Sequence, residues 1–147
     1  MRITLITVGK IKEKYFTDAI AEYQKRLSRY CKLEILEVAD EKTPDGASAA
    51  VEEQIREKEA ERVRKLLKDS AYTIALAIDG KQMTSEGFAE KIQNLGIRGE
   101  SHICFLIGGS LGMSDGLLRQ ADERISFSKM TFPHPVSYTH LTLPTIA

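Results

Sequence analysis

Two short stretches of this chain, Tyr72 to Ile78 (YTIALAI) and Ile103 to Ile107 (ICFLI), are apolar at nearly every position. A strand with one face in water alternates polar and apolar residues, so runs without alternation belong to strands covered on both faces. Such strands are the mark of parallel sheets, whose neighbours are joined by helical crossovers packed above and below. The segments around the two runs should therefore be helices that bury one face each.

The rest of the chain meets that demand. Arg2 to Val8 alternates and is rich in Ile, Leu, Thr and Val, and Gly9 closes it as a strand. From Lys12 to Arg29 the residues Phe16, Ile20, Tyr23 and Leu27 recur at spacings of three and four, which predicts a helix. Leu33 to Val38 reads as the second strand, and Asp40 to Ser48 as a loop broken by Pro44 and Gly46. Val51 to Leu67 is a charged helix with a stripe of Val51, Ile55, Val63, Leu66 and Leu67, and with Glu52 one turn from Arg56. After the third strand, Asp79 and Gly80 predict a turn. Ser85 opens a helix through Phe88, Ala89, Ile92 and Leu95, ended by Gly96. His102 to Ile107 is the fourth strand, Ser114 and Asp115 start a helix under Leu117, Leu118 and Ala121, and Arg124 to Phe127 is the fifth strand. The expectation is one α/β domain with a mainly parallel sheet and helices on both faces. No internal repeat and no linker divides it.

At 147 residues the chain fits a single domain with a real core. No apolar run approaches the ~18 residues of a membrane helix, and MRITLITVGK lacks the small-residue cleavage site of a secretory signal, so a cytoplasmic location is expected. Cys31 and Cys104 lack metal spacing and are expected to be reduced, with Cys104 in the core. His102, His134 and His140 form no ligand pattern, and no metal is indicated. The 21 basic and 21 acidic residues balance, which argues against a protein that grips naked nucleic acid through a broad charged footprint. The distribution is uneven: residues 1–32 carry eight Lys/Arg against three Asp/Glu, and residues 33–70 carry seven against eleven. The basic end could face phosphates or simply water, and the sequence leaves both open.

Gly108 and Gly109 end the fourth strand, where open α/β sheets bind ligands. Glycines there allow a positive φ and a close approach to the main chain, and a tight turn explains them equally well. Two nucleotide loops are excluded. In GxGxxG counted from Gly108, Ser110 stands in place of the second glycine, and in GxxxxGK[ST], Met113 and Ser114 replace Gly and Lys. A ligand without phosphates fits better.

The segments IGGSLG and SFSKMTFPH, with the amino-terminal ITLITVGKIKEKY and the central ALAIDGKQMTSEGFA, resemble the ribosomal RNA large-subunit methyltransferase H family of the SPOUT class in order and spacing. The likeness covers Met1 to about His134. It implies a fold with a carboxyl-terminal trefoil knot, a homodimer, and S-adenosylmethionine as cofactor. The implied substrate is N3 of a pseudouridine in 23S ribosomal RNA of the assembled ribosome. The cofactor positions that carry over are Leu76, Gly108, Phe127, Ser128, Lys129, Met130, Thr131 and Phe132. Taken singly, Leu76 and Phe127 would be read as core. Lys129 suits a phosphate or carboxylate contact. No catalytic base is assigned; His134 is a candidate through its near-neutral pKa, alongside a structural role after Pro133. The competing readings are a non-catalytic ribosome-associated or RNA-binding module that keeps the fold, and a small-molecule-binding domain without an RNA partner.

Past His134 the likeness stops. The family continues into a long amphipathic helix with arginines, which its members use for dimer contacts and knot closure. This chain has PVSYTHLTLPTIA, with Pro135 and Pro144 and no Lys, Arg, Asp or Glu after Lys129. Residues 135–147 are thus expected to be foreign to the family, its true carboxyl end missing, and the chain to dimerise weakly with little methyl transfer.

Overall fold

The computed structural model describes residues 1–10 and 14–127. Along the chain lie β1 (Arg2–Val8), α1 (Lys14–Leu27), β2 (Lys32–Val38), α2 (Ala49–Arg64), β3 (Tyr72–Gln82), α3 (Ser85–Ile97), β4 (His102–Ile107), α4 (Asp115–Gln120) and β5 (Glu123–Ser126). The strands form one sheet in the order β2-β1-β4-β3-β5, with every pairing parallel. The two unbroken apolar runs, in β3 and β4, lie inside the sheet, as strands covered on both faces must.

The period of two along the strands sorts their side chains into two cores. Ile3 and Leu5 of β1 with Ile103, Phe105 and Ile107 of β4 pack against Leu27 of α1 and Phe88, Ile92 and Leu95 of α3. Ile6, Val8, Cys104 and Leu106 face the other way, onto Ala60 and Val63 of α2 and Leu117 of α4. The helices therefore cover both faces, as the strand pattern requires. Both cysteines are free and buried, and burial pushes the Cys104 thiol up to about 12.

The helix starts follow local chemistry. Ser48, Thr84 and Ser114 each cap a helix by accepting a backbone N–H three residues on, from Val51, Gly87 and Leu117. Two expected stops move. Helix α3 runs through Gly96 to Ile97 and ends at Gly99, whose φ is +91°. There the Gly99 N–H bonds to Gly96 O at 3.1 Å and the Glu100 N–H to Leu95 O at 2.9 Å, a Schellman closure that needs the left-handed residue at 99.

The turn expected at Asp79 and Gly80 is instead part of β3, which pairs with β5 twice. Ile125 partners Leu76 and, after an irregular excursion of β3, also Lys81. Gly80 lies directly on β5: an added Cβ would sit 2.7 Å from Ile125 C and 2.8 Å from Ile125 N. Close backbone approach, not turn geometry, is why glycine stands there. The trefoil knot implied by the resemblance would be closed by residues beyond Phe127, outside those described.

Candidate functional site

Strand β1 sends its connection to β2, at one edge of the sheet, and β4 sends its connection past β3 to β5, at the other. Adjacent strands whose connections diverge leave a crevice at their carboxyl ends. The segment that follows β4 there is Gly108 to Met113. Gly109, Ser110, Leu111 and Gly112 form a tight turn, with the Gly112 N–H donating to Gly109 O at 3.0 Å. The positive φ expected at Gly108 or Gly109 falls on Gly112, at +79°. Gly108 is glycine for another reason: a Cβ there would lie 2.9 Å from Gly112 C and from Met113 Cγ, so the loop folds back on it.

Register brings three of the carried-over positions together. Leu76 of β3 partners Ile107 of β4 on one side and Ile125 of β5 on the other. Gly108 follows Ile107, and Phe127 lies two residues past Ile125, so Leu76, Gly108 and Phe127 share one edge of adjoining strands, each half-buried. Ser128, Lys129, Met130, Thr131, Phe132 and His134 lie outside the described residues.

Helix α2 holds the loop from behind. Arg56 donates its Nε–H to Leu111 O at 3.0 Å, while its other nitrogens face Glu52 and Glu53. One turn on, Glu59 is only 5% exposed and accepts the Glu41 N–H at 3.0 Å. A Cβ on Gly109 would lie 3.3 Å from Glu59 Oε2 and 3.1 Å from Val8 Cγ1, so carboxylate and strand end form the floor of the turn. Burial pushes the Glu59 carboxyl above its ordinary value, reinforced by Asp40 and Glu41 and opposed by the Glu41 N–H and Arg62. Arg62 in turn donates to Ala39 O at 2.8 Å and pairs with Glu41. Arg64 donates to Gln120 of α4 at 3.2 Å. These residues of α2 were not found by sequence reasoning, which read a charged helix whose apolar stripe of Val51, Ile55, Val63, Leu66 and Leu67 alone meets the sheet. A glutamate repeatedly placed beside arginine carries no signal of burial; only packing separates Glu59 from Glu57 or Glu61.

Among the described residues this edge is therefore built of main chain and apolar walls, with Arg56 and Glu59 behind the loop. Such a site suits a ligand with an uncharged ring that hydrogen-bonds to backbone groups.

Comparison with known proteins identifies the family. The family model described as predicted SPOUT methyltransferase matches residues 1–142. Among curated proteins, the ribosomal RNA large subunit methyltransferase H of Bifidobacterium adolescentis is 64% identical over 134 residues, which are 91% of this chain and 84% of that protein. Proteins of the same name from Clostridium beijerinckii and Clostridium kluyveri are 58% and 54% identical over the same shares of both chains. A parallel sheet with a glycine loop at its carboxyl edge, matched at this identity over nine-tenths of its length, makes this chain a member of the SPOUT methyltransferase family, in its ribosomal RNA large-subunit methyltransferase H branch.

Proposed function

We propose that the chain binds S-adenosylmethionine at the carboxyl ends of β3, β4 and β5 and directs its methyl group to N3 of a pseudouridine in 23S ribosomal RNA on the assembled ribosome. The observation that carries this reading is the convergence of Leu76, Gly108 and Phe127 on one edge, beside a backbone-built loop. S-adenosylmethionine has no phosphate, and its adenine and amino-acid portions are suited to apolar walls and main-chain donors and acceptors. When bound, it supplies the electrophilic methyl, so the chain's own task is alignment and help with the N3 proton. Leu76 and Phe127 would wall the cofactor and the Gly108–Met113 loop would hydrogen-bond it. Ser128, Lys129, Met130, Thr131 and Phe132 complete the proposed set, with His134 a candidate base.

We further propose a homodimer. Phe16, Ile20 and Tyr23 of α1 are only half-buried, Tyr15 is 67% exposed, and Leu27 is the helix's one fully buried residue. An apolar stripe so incompletely covered is suited to a second subunit. The tail from Pro135, lacking the charges of the family helix, would leave that dimer weak.

The test is transfer of a labelled methyl group to ribosomes that lack the modification, alongside calorimetry with S-adenosylmethionine. Binding of the cofactor with turnover on ribosomes is the expected pattern for a chain with a working carboxyl end. Grafting a family-type carboxyl helix should restore turnover if the tail limits it. Ribosome binding without cofactor binding would instead favour the non-catalytic module.

A further inference from the structure

In a chain of zero net charge, the cations of residues 1–32 have to be placed somewhere, and the fold gathers three of them at the end of the sheet opposite the glycine loop. A groove of about 590 Å³ opens there, where α1 ends and β1 and β2 begin, and its lining includes Arg2, Gln24, Ser28, Arg29, Tyr30 and Lys32. Among the described residues, every charged side chain that lines it is a cation. Arg2 and Lys32 are register partners on neighbouring strands, and Arg29 lies in the turn leading into β2.

Most arginines of this protein are neutralised locally: Arg26, Arg56, Arg62, Arg64 and Arg124 each face a carboxylate. Arg2, Arg29 and Lys32 are exposed and form no ion pair among the described residues. The field of Arg2 reaches inward. His102, partner of Arg2 across β1 and β4, is held below its ordinary pKa by burial first and then by Arg2 and Lys68, against a smaller opposing effect of Glu34. Beside the cations, Tyr30 is 57% exposed, an aromatic ring with no structural need to face water.

We propose that this groove is a contact surface for RNA, with Arg2, Arg29 and Lys32 on backbone phosphates and Tyr30 stacked on an unpaired base. Unpaired cations next to an exposed aromatic ring match the two chemical features every RNA strand offers, its charge and its base faces. The inference rests on the ribosomal RNA reading above and adds the surface by which that substrate is held. Seven residues of β1 separate this groove from the carboxyl edge, a distance of about 20 Å. Only a large substrate can occupy both ends at once, and a ribosome is large enough.

The test compares two double variants with the same change in charge: R29E/K32E in the groove, and K42E/K58E on exposed positions outside it. Binding to ribosomal large subunits is measured as a function of salt, with circular dichroism to verify folding and calorimetry to follow S-adenosylmethionine. The groove variant should bind at least tenfold more weakly, with a salt slope shallower by about two. The second variant should keep the parental slope, and both should keep cofactor affinity. Tyr30→Ala should weaken binding about tenfold at unchanged slope, since stacking releases no counterions. Equal effects of the two double variants would overturn the groove, as would a groove variant whose only defect is loss of self-association. A parental chain that binds S-adenosylmethionine but no ribosomal particle would show instead that the RNA reading itself fails, and the groove with it.

Discussion

The two ends of the sheet are built in opposite ways. At the carboxyl end the chain packs against itself so closely that Gly80 and Gly108 have no room for a Cβ, and a buried carboxylate lies under Gly109. At the amino end an open groove is lined by exposed side chains, and the nearby Gly99 has nothing within 4 Å of where its Cβ would be. One end specifies position through closely packed main chain, as the proposed small-ligand site requires. The other offers charge on exposed side chains, which costs the fold little and suits a large, hydrated partner. Substitutions should therefore be read in stability at the first end and in binding at the second.

Gly80→Val should be the most damaging change. Its side chain meets strand backbone rather than the end of a flexible residue, so β3 and β5 must separate, at a cost of about 3 kcal/mol or more. Urea unfolding measures this, and a loss below about 1 kcal/mol would mean the carboxyl end is less rigid than the comparison holds.

Gly108→Val should cost about 1–3 kcal/mol, because Gly112 and Met113 belong to a loop that can partly yield. Its larger effect should be on the ligand: calorimetry should detect no S-adenosylmethionine binding while the circular dichroism of the sheet persists. Parental affinity in the mutant would remove the loop from the site.

Glu59 gives a pH signature to the carboxyl end. Its folded-state pKa lies above the ordinary 4.5, chiefly through burial, so the folded protein holds this proton more tightly than the unfolded chain. Stability from this group should then fall as pH rises from about 4.5 toward the folded pKa. Glu59→Gln keeps an acceptor for the Glu41 N–H and has no proton to lose, so its stability relative to the parent should grow across that interval. Denaturation of both proteins between about pH 4 and 8 tests the sign, and parallel curves would mean that Glu59 ionises as readily folded as unfolded.

The smallest effects should come from the amino end. Gly99→Ala should cost about 1–2 kcal/mol through its positive φ alone. Gly96→Ala, inside α3 and facing only the movable end of Met1, should be neutral or stabilising by up to about 1 kcal/mol. If thermal unfolding ranked these two the other way, the helix would end at Gly96 after all.

Strand identity and layering were legible because they follow from local periodicity. The runs at Tyr72 and Ile103 demanded cover on two faces, and the alternate residues of β1 and β4 do enter two separate cores. The Ser114 cap and the half-buried stripe of α1 follow from local pattern, whereas α3 expected from Ser85 is capped one residue earlier by Thr84. The motifs around Gly108 were legible as a family pattern, and the family membership they implied is shown.

What each glycine is for could not be read locally. Asp79–Gly80 is a strong turn signal, yet β3 resumes pairing with β5 at Lys81 and brings Gly80 onto Ile125, and a chain segment 45 residues away leaves no trace in a local pattern. Gly96 and Gly99 both look like helix stops, and only the geometry of the Schellman closure chose between them. Glu59 is the sharpest case. Among the glutamates of α2 its type and neighbours are ordinary, and it became a buried group under the glycine loop because the helix packs where β1 ends at Val8 and the chain passes Gly109. Sequence determines which faces must be covered, since each residue carries its own cost of exposure. Tertiary structure alone decides which segments cover them, because that cost is settled by neighbours distant in the chain.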